Sequence, residues 1–395
     1  MIKKLSRLQT ENIHQAGYKK NRSAQEHLLR LSEDIHQGFM TKRCTVAVFL
    51  DVQGAFDKVW SAGLIYKLIK IGLPRYLLKT ICSFLTNRKL KVKSGTKESR
   101  TIEMECGTPQ GCVLSPLLYN FLVDDLKEEL REEIQIAQYA DDVALWITDE
   151  CPRKAEWHMQ KCLEIIDKWT AKWRVTLAPE KTKLIIFSRC PTHRRIQVNL
   201  TLRGTKIKEV DQARLLGVLY DNRLTWHKYK EELINRVSHK TWTLKKLSAK
   251  SRWRKPEVII KLYEAIVVQV WTYGSFLFTA TNEEFWKKFR SNHGDAIKSF
   301  ANLPKCSSYE NACDSLNQTE MDKRLKEIGK KRIKNLLRTT PFYDELYRKQ
   351  QTMTETTAFY SSPIRAALTR EEVEEIGRER KSAGEPDHTH INSND

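Results

Sequence analysis

The stretch CTVAVFLD, Cys44–Asp51, constrains this chain more than any other. It is a continuous apolar run, rich in Val, that ends in a charge. Such a run reads as a strand buried on both faces. A buried strand that closes on an unpaired carboxylate is costly unless a cation compensates it. QYADDVALW, 138–146, repeats the problem, because two adjacent like charges sit between strand-like apolar residues and Asp is a poor strand former. Read alone, the pair is a hairpin turn, which Asp suits. Read with Asp51, it makes three carboxylates at two strand ends. Converging there, they would suit hard cations such as Mg²⁺, which prefer oxygen ligands. Two such ions roughly 3.5–4 Å apart can clamp an in-line phosphoryl displacement, one activating the attacking hydroxyl and one steadying the pyrophosphate.

The surrounding pattern indicates the fold class. Residues 1–43 look helical and basic, with Leu28, Leu29, Leu31 and Ile35 on an apolar face and Gly38 suited to a helix end. After the strand at 44–51, a helical pattern through Leu64, Leu68 and Ile69 stops at Gly72-Leu73-Pro74. Residues 88–106 alternate around Ser94-Gly95, a basic hairpin signal. A loop punctuated by Gly and Pro, 107–116, leads into a helix starting near Leu117. Residues 134–148 read as strand, turn, strand; 153–173 as a long helix burying Met159, Leu163 and Ile166; and KLIIFS, 183–188, as a strand. This order suits an α+β layer, an antiparallel sheet with helices packed on one face. After ARLLGVLYD, 213–221, strands stop, and 227–340 read as helical with Trp242, Tyr263, Trp271, Phe285 and Trp286 on inner faces. From about Thr352 the chain turns polar, and 351–395 is expected to be mostly disordered.

Composition bears on partners. Lys plus Arg number 69 against 49 Asp plus Glu, a net charge of +20, which favours a polyanion. No run approaches the ~18 apolar residues of a membrane span, and the basic N-terminus lacks the apolar segment of a secretory signal. The 9 cysteines are odd in number and contain no Cys-x-x-Cys, so they read as reduced thiols of an intracellular protein.

Five motifs occur in order: LDVQGAFDKVW (50–60), GTPQGCVLSPLLYNF (107–121), QYADDVALW (138–146), LAPEKTKLIIFSR (177–189) and LLGVLYDNRLTW (215–226). Together they resemble the palm motifs of reverse transcriptases, and the finer pattern is similar to non-LTR retrotransposon polymerases of the jockey type. QAGYKKNRS (15–23) resembles the family's segment ahead of the first catalytic strand. The resemblance implies a right-hand polymerase palm with partial fingers and a helical thumb. It divides the chain into partial fingers (1–43), palm (44–212), primer-grip hairpin (213–226), thumb and C-terminal helices (227–350), and the tail.

It also implies roles. Asp51 and Asp141 match the metal-ligating aspartates and Asp142 the second member of the pair, holding two Mg²⁺, with Mn²⁺ an alternative. Tyr139 would lie near the primer end. Phe56 stands where the family places its sugar gate, a ring that clashes with a 2′-hydroxyl and so selects deoxynucleotides. Gln110 would hydrogen-bond the sugar or template region, and Gly111 would let backbone approach the nucleotide. Lys181 or Lys183 would serve as proton donor to the pyrophosphate. Residues 221–262 hold 12 Lys/Arg against 4 Asp/Glu, interleaved with Trp226, Trp242 and Trp253, which suits backbone tracking along an RNA–DNA duplex. Implied partners are an RNA template, a DNA primer and deoxynucleoside triphosphates, with no membrane; the nucleus is the expected location if the chain serves retrotransposition.

Three family features have no match: an Arg-Pro-Ile-like motif whose arginine holds the triphosphate, an endonuclease domain and an RNase H domain. The resemblance is therefore to an N-terminally truncated copy. A nucleic-acid-binding remnant without activity is the alternative expectation.

Overall fold

The computed structural model describes residues 5, 12–250, 256–277, 283–316, 318–352 and 362–382. Its contacts divide into two units, residues 1–27 with 42–216, and residues 28–41 with 217–395.

The first unit is built on a five-stranded sheet. Strand β1 (Cys44–Asp51) lies at its centre, flanked on one side by β3 (Asp142–Asp149) and then β2 (Gln135–Tyr139), on the other by β4 (Lys183–Phe187) and then β5 (Lys208–Glu209). All neighbours are antiparallel except the edge pair β5–β4. Seven of the eight β1 residues are buried, so both faces are covered, as the unbroken apolar run requires. Cys44, Val46, Val48 and Leu50 join the main core together with Met159, Leu163 and Ile166 of the 22-residue helix Pro152–Trp173. That helix starts on a proline at its first position, where the missing N–H costs nothing, and ends on Arg174 in the left-handed conformation.

Helix Ser61–Lys70 ends before Gly72 at φ +74°, as its stop signal predicts. A further helix, Arg75–Leu85, follows it, and the sequence reading missed this one although Leu77, Ile81 and Leu85 recur every fourth residue and are buried. The basic hairpin forms as two nested ladders, Arg88–Leu90 with Ile102–Met104 and Lys93–Ser94 with Lys97–Glu98. Helix Leu114–Val123 starts three residues earlier than expected.

The second unit is helical. Tyr263, Trp271, Phe285 and Trp286 are buried, with Trp271 and Phe289 edge to face at 4.6 Å. Trp242 departs from the expectation at 54 % exposure. The buried face of helix His227–Lys250 is set by Tyr229, Leu233, Val237, Thr241 and Leu244, and Trp242 falls outside that stripe.

Residues 1–43 are not uniformly helical. Asn12–Tyr18 forms turns and a bridge, and helix Ala24–Met40 runs two residues beyond Gly38. The tail contains two helices, Pro363–Ala367 and Arg370–Ser382. The first is capped by Ser362, and Thr369 and Glu372 exchange the reciprocal bonds of a capping box before the second. Its buried Val373 and Ile376 give it a packed face despite its polar composition. Among the described residues no helix is long and apolar enough to cross a membrane.

Candidate active site

The antiparallel register of β1 and β3 sets Asp51 opposite Asp142 at one end of the sheet. Facing residues of such a ladder stand roughly 4.5–5.5 Å apart at Cα. Register also pairs Tyr139 with Asp142 across the hairpin, leaving Ala140 and Asp141 as its turn. Ala140 turns at φ +57°, a conformation that an alanine resists. Asp141 and Asp142 are exposed and Asp51 is half-buried. Burial, then the charges of Asp141 and Asp51, push the Asp142 carboxyl above its ordinary range. The three expected carboxylates therefore share one end of the sheet and repel one another there.

Their donor set is all oxygen and fits a hard divalent cation. Among the described residues, no three His, Cys, Asp or Glu side chains are already gathered around one point as a cage. Placement by strand register, with mutual repulsion still unrelieved, is what the folded chain supplies. One cation stands near: Lys181 Nζ lies 3.8 Å from Asp51 Oδ2. The loop that carries it is tied to the end of β1, with Gln53 N–H donating to Thr176 O at 2.8 Å and Ala178 N–H to Asp51 O at 2.9 Å. Of the two lysines left open by sequence, Lys183 is the one on β4, across from Phe49.

Beyond Asp51 the chain turns through Gly54 at φ +62° into Phe56. The Phe56 ring packs 5.3 Å from that of buried Tyr119 and 6.3 Å, edge on, from that of Tyr18. Burial, then Asp141 and Tyr139, raise the Tyr18 phenol, and burial, then Asp141, raise that of Tyr119. Tyr18 and Tyr119 thus stand beside both the gate candidate and the aspartates, and sequence reasoning missed both. The available signals were that Tyr18 lies in QAGYKKNRS and Tyr119 in GTPQGCVLSPLLYNF, two of the stretches that carry the resemblance.

The Pro-Gln-Gly loop is stitched to the same segment. Thr108 N–H donates to Phe56 O at 2.7 Å and Gly107 N–H to Val59 O at 2.8 Å. A side chain on Gly107 would meet Asp57 O at 2.5 Å. Gln110 Nε2 donates to Asp57 Oδ1 at 2.8 Å, so its amide is engaged within the protein. Gly111 sits at φ +79° facing open space, consistent with close backbone approach by a ligand.

The cations ahead of β1 are held elsewhere. Arg22 pairs with Glu26 and donates to Ile13 O. Lys19 donates to Asn12 O, and burial lowers it to about 8. Lys20 is exposed.

In the stretch expected as a primer-grip hairpin, strands Gln212–Leu215 and Val218–Asp221 form, one in each unit. On helix His227–Lys250, Lys246 Nζ stands 3.6 Å from the ring centre of exposed Trp242. Lys245 instead donates to Asp295 O at 3.0 Å. Arg252 and Trp253 lie outside the described residues.

The family model described as "Reverse transcriptase (RNA-dependent DNA polymerase)" matches residues 1–220. The chain is 29% identical over 302 residues to a probable RNA-directed DNA polymerase from transposon BS of Drosophila melanogaster, covering 74% of this chain and 33% of that protein. It is 27% identical over 332 residues to the RNA-directed DNA polymerase from mobile element jockey of Drosophila funebris, covering 80% and 35%. The chain thus spans about a third of the length of these relatives. Among solved structures, telomerase from Candida tropicalis in complex with a fragment of telomeric RNA is 13% identical, with a TM-score of 0.40, over 90% of this chain and 56% of that one.

Proposed function

This chain belongs to the reverse transcriptase family, and on that premise we propose that it extends a DNA primer on an RNA template, as a polymerase of the jockey-type non-LTR retrotransposons. The observation that carries the reading is the register that sets Asp51 opposite Asp142, next to the turn bearing Asp141. In the reaction the primer 3′-hydroxyl attacks the α-phosphorus of a deoxynucleoside triphosphate and pyrophosphate leaves. Asp51, Asp141 and Asp142 would hold two divalent cations, Mg²⁺ or Mn²⁺, which when bound supply hydroxyl activation and charge neutralisation on the leaving group.

The chain's own residues do the rest. Phe56, braced by Tyr119 and Tyr18, lies under the incoming sugar and excludes a 2′-hydroxyl by shape. Gly111 admits the nucleotide against bare backbone, and Gln110 fixes the loop through Asp57 and faces the sugar or template. Tyr139 lies beside the primer end. Lys181, next to Asp51, brings a proton on Nζ toward the departing pyrophosphate. The exposed cations of helix His227–Lys250 track the duplex phosphates. A chain serving retrotransposition would work in the nucleus, where the target DNA is.

A second reading, nucleic-acid binding with little catalysis, is favoured by one observation. Arg22 and Lys19 are bonded to main-chain carbonyls, and Arg22 also to Glu26, so part of their donor capacity is committed within the protein and not to a triphosphate. Extension of oligo-dT on poly-rA, with and without Mg²⁺, separates the two. Metal-dependent incorporation of dTTP supports the polymerase, and tight primer–template binding with no incorporation supports the alternative.

A further inference from the structure

The segment ahead of helix Ala24–Met40 lies against the catalytic turn. Asn12–Tyr18 forms a parallel bridge at Gln15 and Gln138. Ala16 N–H donates to Gln138 O at 2.9 Å, and Gln138 N–H donates to His14 O at 3.0 Å. The buried Gln15 side chain reaches past this bridge to the turn. Its Oε1 accepts from Ala140 N–H at 3.0 Å and from Gly17 N–H at 2.8 Å, while its Nε2 faces Ala140 O at 3.4 Å. The amide thus closes on both backbone groups of the residue directly before Asp141. Gly17 is packed so closely that a Cβ there would stand 2.4 Å from Ala140 N. Two asparagines fix the ends of the segment: Asn12 Nδ2 donates to Asp124 O and Asn120 Nδ2 to Gly17 O, both at 2.9 Å.

Ala140 needs such a partner. It is buried, its φ is positive, and a buried N–H without an acceptor is rare because it is costly. The residues after it carry carboxylates that repel each other. A turn left to itself would relax toward ordinary φ and carry Asp141 and Asp142 away from Asp51. We propose that Gln15 is a positioning residue for nucleotidyl transfer: its side-chain amide clamps Ala140 and thereby holds Asp141 and Asp142 in register with Asp51. The proposal deepens the polymerase reading and rests on it for its catalytic meaning.

The test is made on the full chain. Gln15→Met keeps the length of the side chain and removes the clamp. Misplacement of reacting groups by an ångström lowers rates on the order of a hundredfold. The expected result is a kcat loss of that size per active enzyme, with primer–template affinity and the KM for dTTP near wild type, and with the Mg²⁺ concentration for half-maximal rate raised severalfold. Adding Ala140→Gly, which accepts positive φ without strain, should recover part of the lost kcat. A merely structural role would lower the active fraction without moving the Mg²⁺ dependence, and position 140 would not rescue it; that pattern overturns the proposal.

If wild type shows no incorporation at any Mg²⁺ concentration, the polymerase reading fails, and the clamp is judged by amide exchange alone. Exchange at residues 140–142 should speed up in Gln15→Met without metal, and unchanged exchange overturns the clamp. Should Gln15→Met not fold, Gln15→Glu keeps the acceptor for both N–H groups and places an oxygen against Ala140 O. It should show the same loss in smaller degree, and wild-type kcat and Mg²⁺ dependence in that variant overturn the proposal.

Discussion

Two acidic clusters in this chain are treated in opposite ways. At the sheet end of the first unit, Asp141 and Asp51 raise the cost of charge on Asp142, with Lys181 at 3.8 Å from Asp51. In the second unit, Asp34 and Glu345 are compensated from within, and buried Glu33 is held by hydrogen bonds. Lys349 bridges Asp34 and Glu345, and Arg30 lies 3.2 Å from Glu345 while stacking over Phe342. Gln350 and the Ile364 N–H donate to Glu33 at 2.7 and 2.9 Å. Burial works against charge on Glu345, but Arg30 and Lys349 outweigh it and hold the carboxyl down to about 2. A carboxylate that serves the fold brings its counterion with it. The cluster proposed to take cations from outside leaves Asp141 and Asp142 exposed, with a single lysine beside Asp51.

The comparison breaks first, and with the largest effects, by substitution in each cluster. Asp141→Asn should cut primer extension by a hundredfold or more, on the order of losing one electrostatic contact in a transition state. Its thermal midpoint should hold or rise slightly, since a repulsion is relieved. Lys349→Met should do the reverse to stability, lowering the unfolding free energy by about 3 kcal/mol, because buried Asp34 and partly buried Glu345 lose their bridge. Denaturant unfolding and extension assays on both variants check this. A strongly destabilised Asp141→Asn would mean that the proposed metal-binding cluster is also a structural one.

Glu33 sharpens the comparison through pH. Burial pushes its carboxyl from 4.5 up to about 7, against the donation of Ile364, Ser362 and Gln350 and the charge of Lys349. A raised folded pKa means that the folded chain binds the proton more tightly. The stability this gives is full below about 4.5 and is lost as pH rises through about 7. At about 1.4 kcal/mol per unit, the loss is roughly 3 kcal/mol. Unfolding free energies of wild type and Glu33→Gln, compared across that window, should diverge by this slope. Parallel curves would show that Glu33 is ionised throughout.

Phe56 tests the open cluster by shape. Phe56→Ala removes the ring braced by Tyr119 and Tyr18. Discrimination between deoxynucleotides and ribonucleotides should fall by about 10–200-fold, the range for one apolar contact. An unchanged ratio in single-nucleotide incorporation would return Phe56 to simple packing.

What was legible in the sequence follows the range of the forces involved. Asp51 and the Asp141-Asp142 pair were readable because apolar runs fix β1 and β3 locally and a charge marks where each run stops. Gln15 was not, because its bond to Ala140 joins residues 125 apart and leaves no periodic trace. Tyr18 and Tyr119 lie in quoted motifs, but their approach to Phe56 is likewise long-range and leaves no periodic trace. Trp242 was placed inward on its apolar character alone, whereas the buried stripe at Tyr229, Leu233, Val237, Thr241 and Leu244 excludes it. The tail was read from composition, which outvoted the local signals Ser362-Pro363 and Thr369 with Glu372.

The smallest effect belongs to the cations, which divide as the carboxylates do. Lys349 is largely covered where it pairs with Asp34 and Glu345, and burial holds Lys230 down to about 8. Lys246 is exposed, its Nζ 3.6 Å from the ring centre of Trp242. If the chain binds a duplex as proposed, a lysine kept in water over an exposed indole can meet a phosphate while the ring offers a face for stacking. Each phosphate contact releases counterions, so Lys246→Gln should reduce the magnitude of the log–log salt slope of duplex binding by about 0.9 on B-DNA and weaken binding equally across sequences. Lys245→Gln, which loses a donor to Asp295 O, should lower stability and leave that slope closer to wild type. Fluorescence anisotropy from low to moderate salt reads both. If the two variants change the slope alike, exposure does not distinguish the cations that bind nucleic acid from those that hold the helices together.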